Sequence, residues 1–231
     1  MKTLGIIGGL SWESSAEYYR IINTEVNRRL GGVSSAKLLL ASLDFSEVES
    51  MQVAGKWDEL LSQLTGWAKV LEKAGADGIM IASNTMHQGA EEIQESIGVP
   101  LLHIADSVGK AITKAGFQRV GLLGTRFTME GNFYIQRLGT RFNLEVDTPR
   151  ESEKETVHRV IYEELVLGKI RPESRGEFLS IIDRMAKAGC QGMILGCTEI
   201  PLLVSNKDTP VPLFDTTTLH CLDGIDFMIS E

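Results

Sequence analysis

Apolar residues along this chain fall into short continuous runs separated by longer stretches with helical spacing, and that alternation predicts most of the secondary structure. Leu4 to Ile7 is an apolar run ending at Gly8-Gly9. Ser11 to Ser15 then supply caps for a helix reaching about Leu30, where Gly31-Gly32 stop it. Ala36 to Leu43 reads as a second buried strand, and Trp57, Leu60, Leu61, Leu64, Trp67, Ala68 and Leu71 recur at helical spacing before Gly75. Gly78 to Ala82 is a third strand, a helical segment starts near His87, and Val99 to Ile104 leads into a helix ending near Gly116. Arg150 to Lys154 begins a helix carrying Val157, Ile161 and Leu165, and Pro172 opens the next helix, which runs to about Ala188. The strands are apolar throughout and alternate with helices. That pattern indicates an α/β fold of parallel sheet covered by helices on both faces.

The pattern also repeats. Gly5-Ile6-Ile7-Gly8-Gly9 returns as Gly121-Leu122-Leu123-Gly124-Thr125, 116 residues on. The stretch Ala74 to Thr85 returns as Ala188 to Glu199, 114 residues on, and Val99-Pro100-Leu101 returns as Val211-Pro212-Leu213 after 112. Three similar offsets in one order imply two similar lobes. The expected division is 1–98 with 210–231 as the first lobe and 99–209 as the second. If a pseudo-twofold axis relates them, Ser83 and Cys197 stand at equivalent strand ends facing a common cleft, because open α/β sheets bind ligands outside the carboxyl ends of their strands.

Composition narrows the function. The 231 residues carry 31 acidic and 23 basic side chains, and a net charge of -8 argues against a sequence-independent grip on nucleic acid. Three cysteines without framework spacing read as reduced thiols. No apolar run approaches the ~20 residues of a membrane helix. The first residues show no secretion signal, so a soluble, cytoplasmic protein without a membrane partner is expected.

Cys197 is the leading candidate for chemistry. A strand-end thiol beside the amides of a following helix is expected to have a lowered pKa and to exist partly as thiolate, the alternative being a small buried hydrophobe. Ser83 is less reactive unless a neighbour removes its proton; His87, four residues on, is a candidate for that task, and a capping serine is the ordinary alternative. Asn84, Thr85, Thr198 and Glu199 would present donors and acceptors at two helix N-termini, where anions are favoured, or act as simple caps. Gly-Ile-Ile-Gly-Gly-Leu is not the dinucleotide fingerprint, and no Walker lysine follows a glycine loop. Gly124-Thr125 places donors at the repeat's equivalent turn. His103, His158 and His220 are scattered and share no metal-ligand spacing with Cys190 or Cys221, which look like packing cysteines, so no metal is expected. Trp12 lines the cleft mouth or joins the core.

Gly8-Gly9, Asn84-Thr85-x-His87, Gly124-Thr125, Gly196-Cys197-Thr198-Glu199 and Pro212-x-Phe214-Asp215-Thr216 together resemble the aspartate/glutamate racemase family over essentially the whole chain. The resemblance implies two pseudo-symmetric α/β lobes, an active site in the cleft between them, no pyridoxal phosphate or other cofactor, an amino acid as substrate, and a homodimer. It also implies racemisation by two acid/base groups flanking the α-carbon, commonly two cysteines. Carried over by position, Cys197 is the thiolate base and Ser83 stands where the other cysteine would be, as the opposing acid. A hydroxyl donates a proton more readily than it accepts one, so an asymmetric enzyme is expected. Asn84, Thr85, Thr125, Thr198 and Glu199 would contact substrate. Members with a hydroxyl residue at this position resemble racemases preferring L-aspartate or L-glutamate, and that likeness extends to Leu10 and Gln52 as substrate contacts. A broad-specificity amino-acid racemase and a non-catalytic amino-acid-binding relative are the alternatives.

Overall fold

Four short strands, Leu4–Gly8 (β1), Leu38–Ser42 (β2), Gly78–Ile81 (β3) and Leu101–Leu102 (β4), pair in parallel in the order β2-β1-β3-β4. Four more, Arg119–Gly124 (β5), Glu145–Asp147 (β6), Met193–Gly196 (β7) and Leu213–Asp215 (β8), pair in parallel as β6-β5-β7-β8. Strand for strand the two sheets have one topology, so the sequence repeat reflects a repeated fold. This arrangement comes from a computed structural model that describes residues 1–230.

The central strands are continuously apolar because both of their faces are covered. Ile79 and Ile81 of β3 pack with Ile7, Leu60, Leu64 and Ala68 on one face of the first sheet. Met80 and the following Ala82 point the other way, toward Leu4, Ile6, Tyr18, Ile22 and Ile225. The period of two thus divides one apolar run between two cores. In the second sheet Leu123, Met193 and Leu195 pack against helices Glu151–Glu163 and Pro172–Lys187 through Val157, Val160, Phe178 and Ile182. Burying each such side chain contributes ~1.5–3 kcal/mol. Pro172 occupies the first turn of its helix, where its missing N–H costs nothing.

Two expectations need correction. The chain divides into Met1–Ile104 with His220 onward, and Ala105–Leu219, instead of at 98/99 and 209/210. The reason is strand pairing: β4 bonds to β3 and stays with the first sheet, and β8 bonds to β7 and stays with the second. Ala36 to Leu43 is not a buried strand, since β2 is a sheet edge on which only Ala41 is buried. The acidic stretch after it is a helix, Phe45–Val53, capped by Asp44, whose carboxylate accepts from the Ser46 amide.

Gly9 explains the turn that resembles a nucleotide loop. Its φ is +71°, and a Cβ there would lie 2.0 Å from the Leu43 carbonyl oxygen. The turn is therefore filled by its own chain, and the Gly9 amide donates to Ser15 Oγ at 2.8 Å. Gly124 and Gly196 play a related part in the second sheet, where a Cβ on Gly124 would come within 2.9 Å of the Gly196 carbonyl. Among the described residues no helix is long and apolar enough to cross a membrane.

Candidate active site

β7 ends at Gly196 and delivers Cys197 to the carboxyl edge of its sheet, beside the short helix Ile200–Leu203. The thiol donates to Glu199 Oε2 at 3.0 Å, and the Thr198 hydroxyl donates to the same oxygen at 2.7 Å. Burial, and after it the Glu199 carboxylate, push the Cys197 thiol well above the ordinary thiol range. Hydrogen bonds from the Glu199 and Thr198 amides act in the opposite direction and are outweighed. The expected lowered pKa is thus overturned: the amides are present, but burial, and after it a carboxylate two residues on, outweigh them, and the resting thiol is protonated.

β3 ends one residue before Ala82, whose amide continues the ladder to the Ile7 carbonyl, and Ser83 follows at the equivalent edge of the first sheet. The Ser83 hydroxyl has no hydrogen-bond partner among the described residues. His87 is not its base. His87 Nδ1 lies 2.7 Å from the Ser83 carbonyl oxygen, so it carries the proton and donates, and Nε2 accepts from the Ile104 amide at 3.2 Å. Both ring nitrogens are occupied by backbone, which fixes a neutral imidazole.

The segments after both strand ends are shorter than expected. Thr85–Gly89 is a 3₁₀ turn leading into the six-residue helix Ala90–Glu95, and the counterpart after Cys197 has four residues. Few peptide dipoles are aligned at either end, so the anion-favouring helix termini expected from the sequence are not built.

Of the other predicted contacts, Asn84 and Thr85 are buried beside Ser83. Gln52 is buried on helix Phe45–Val53, and its Oε1 has no hydrogen-bond partner, an arrangement that normally costs ~1–3 kcal/mol. Leu10 belongs to the first unit's core cluster. Thr125 caps helix Arg126–Glu130, accepting from the Thr128 amide at 3.3 Å. Trp12 is 70% exposed and is no core residue. Arg126, the cation next to Thr125, is held by Glu130 and Glu151. A surface pocket of about 500 Å³ beside Ser46, Ser50, Met51 and Lys56 contains none of the predicted site residues.

Sequence reading missed one grouping. Two of the three histidines read as scattered, His103 and His220, gather around His87, whose ring lies tilted 4.5 Å from His103 and edge-on 5.6 Å from His220, ring centre to ring centre. His220 Nε2 donates to the Leu102 carbonyl at 2.8 Å, and Nδ1 accepts from the Tyr18 hydroxyl at 2.9 Å. This polar cluster is buried directly behind Ser83. The spacing from 87 to 220 hides it, because only the return of the last helix to the first unit brings His220 in. Among the described residues no group of three His, Cys, Asp or Glu side chains is arranged to hold a metal ion.

Residues 7–222 match the family described as Asp/Glu/hydantoin racemase. A crystal structure of a candidate Asp/Glu racemase from Yersinia pestis is 46% identical with a TM-score of 0.94, all of each chain being covered. The aspartate racemase homologue from Pyrococcus horikoshii OT3 is 35% identical with a TM-score of 0.86, again over the whole of both chains. The broad specificity amino-acid racemase RacX of Bacillus subtilis is 38% identical over 77 residues, 33% of this chain and 34% of that protein. Two sheets of one topology, a thiol and a hydroxyl at matching strand ends, and a match across nearly the whole sequence agree: this chain belongs to the Asp/Glu/hydantoin racemase family.

Proposed function

We propose that this protein is an amino-acid racemase that interconverts L- and D-aspartate or glutamate, with Cys197 and Ser83 acting on opposite faces of the α-carbon. The observation that carries the reading is the placement of a thiol and a hydroxyl at the carboxyl ends of equivalent central strands in two sheets of identical order. Inversion requires one group to remove the α-proton and a second to deliver one from the other side. Cys197 in its thiolate form takes the proton, and the Ser83 hydroxyl donates. Gln52, with a buried oxygen that lacks a protein partner, is proposed to accept a hydrogen bond from the substrate ammonium. Asn84, Thr85, Thr125 and Thr198 are proposed to surround the substrate carboxylate, where charge develops as the proton leaves.

The preference for acidic substrates draws on the names of the two structural relatives. The RacX similarity supports a second reading, a broader specificity that includes neutral amino acids, over the third of the chain it covers. Incubation with L-aspartate, L-glutamate and L-alanine in deuterated water separates them by appearance of the D-enantiomer. Inversion of the acidic amino acids alone supports the first reading, and inversion of all three supports the second. No exchange with any of them would leave a binding protein.

A further inference from the structure

We propose that His158 is a positioning residue for the turn after β5, holding it beside Thr125 through the Arg126 amide only while its imidazole is neutral; the proposal rests on the racemase reading, in which Thr125 contacts substrate. Helix Arg126–Glu130 starts at that turn, and the first amides of a helix have no partner inside it. Thr125 Oγ1 accepts from the Thr128 amide, and His158 Nδ1 accepts from the Arg126 amide at 3.2 Å. The residue next to the proposed substrate contact is thus fixed by a side chain of helix Glu151–Glu163, 32 residues on.

The ring is held for this task. Tyr162, one turn further along the same helix, lies tilted against it at 4.7 Å, and Phe127 meets it edge-on at 6.3 Å, ring centre to ring centre. Nδ1 accepts only with its lone pair free, so the bonded form is the neutral tautomer that carries its proton on Nε2. Burial first, and then the Arg126 cation, hold His158 below the usual imidazole range, and the Glu130 carboxylate opposes them. Arg126 is itself paired with Glu130 and Glu151, and Lys154 lies 3.9 Å from Glu130. On the other elements packed against this helix, Arg184 and Glu177 pair with Glu153 and Arg159, and Arg119 of β5 pairs with Asp147.

Acid should release the turn. Above the pKa of His158 the ring accepts and the Arg126 amide is held. As pH falls through it, Nδ1 takes a proton, the acceptor is lost, and a new cation stands beside Arg126. Because the neutral form is favoured, this release falls below the ordinary imidazole value of ~6.5. The matching turn of the first sheet has no such dependence: there the Gly9 amide donates to the Ser15 hydroxyl, which does not titrate in this range. The two repeated turns are held alike at neutral pH and unequally in acid.

Initial rates of D-aspartate formation from L-aspartate between pH 7.5 and pH 5 test this in the wild type, His158→Asn and His158→Leu. The Asn side chain can accept from the amide at every pH, and Leu at none. KM of the wild type should rise about fivefold toward pH 5, beyond any change in kcat. The Asn variant should show no such rise, and the Leu variant should have the raised KM already at pH 7.5. Hydrogen exchange at the Arg126 amide, expressed as a protection factor, should follow the same pattern without substrate: protection is lost in the wild type at pH 5 and in the Leu variant throughout, and kept in the Asn variant. A flat wild-type KM, an equal rise in the Asn variant, or full Arg126 protection in the Leu variant would overturn the proposal. If the Leu variant does not fold, the wild type and the Asn variant decide alone. If the wild type inverts no amino acid, the racemase reading fails and the substrate-positioning role with it, while the protection factors still show whether His158 holds the turn.

Discussion

The ends of β3 and β7 are topological equivalents with unequal chemistry. At β7 a thiol donates a hydrogen bond to a buried carboxylate. At β3 a hydroxyl stands without a base, and the histidine closest to it in sequence is committed through both nitrogens to the backbone. The repeated fold supplies two positions, and the side chains decide what each can do. A thiol with an acceptor can take a proton and return it, whereas an unassisted hydroxyl serves mainly to donate.

Thermodynamics limits how this asymmetry can show itself. Enantiomers are equal in free energy, so kcat/KM for inversion must be the same from either side. The difference has to appear in exchange without inversion. On the proposed mechanism, a proton taken by Cys197 sits beside the Glu199 carboxylate and can exchange for deuterium before return to the same face, whereas the Ser83 hydroxyl has no hydrogen-bonded acceptor.

The largest effect is expected from Cys197→Ser, which removes the thiol and should lower both exchange and inversion by ~10³-fold or more, measured by Cα deuterium and chiral chromatography. Retention of wild-type rates would remove Cys197 from the mechanism. Next, Ser83→Ala should abolish inversion, by about 100-fold or more, while L-aspartate still gains deuterium at the α-carbon. Loss of both in a folded protein would mean that Ser83 does more than donate. Ser83→Cys sharpens the comparison by making the two ends alike, and exchange without inversion should then become visible from D-aspartate as well.

The smallest effect concerns the support behind β3. His87→Ala leaves the Ser83 carbonyl and the Ile104 amide without their partner, which should cost ~1–3 kcal/mol in urea unfolding. His87→Asn keeps a donor on the short side and should recover part of that loss. Equal stability of the Ala variant and the wild type would show that the imidazole does not hold this strand end in place.

Much of this arrangement was legible in the sequence, for definable reasons. Strands buried on both faces must be continuously apolar, so β1, β3, β5 and β7 and their repeat stand out along the chain. Ser83 and Cys197 follow from the same runs, because a strand end is visible wherever an apolar stretch meets small polar residues. β2 misled, since Leu38-Leu39-Leu40 is as apolar as a central strand and only pairing order reveals an edge. The lobe boundary misled for a related reason, because β4 and β8 choose their sheet by hydrogen bonding to a neighbour.

The chemistry at β7 was half legible. The amides that lower a thiol pKa are implied by any strand-to-helix turn, and they do act on Cys197. Neither the burial of the thiol nor the direction of the Glu199 side chain is implied by the spacing, and together, burial first, they reverse the sign. The histidine cluster was hidden for want of proximity: His87 and His220 are brought together by the return of the last helix.

The most direct test of an unequal pair starts from each enantiomer of aspartate in deuterated water and follows deuterium in the recovered substrate against appearance of its mirror image. The account predicts that recovered L-aspartate gains deuterium at least about tenfold faster than D-aspartate appears, while recovered D-aspartate gains none before inversion. The same ratio of exchange to inversion from both enantiomers would contradict it.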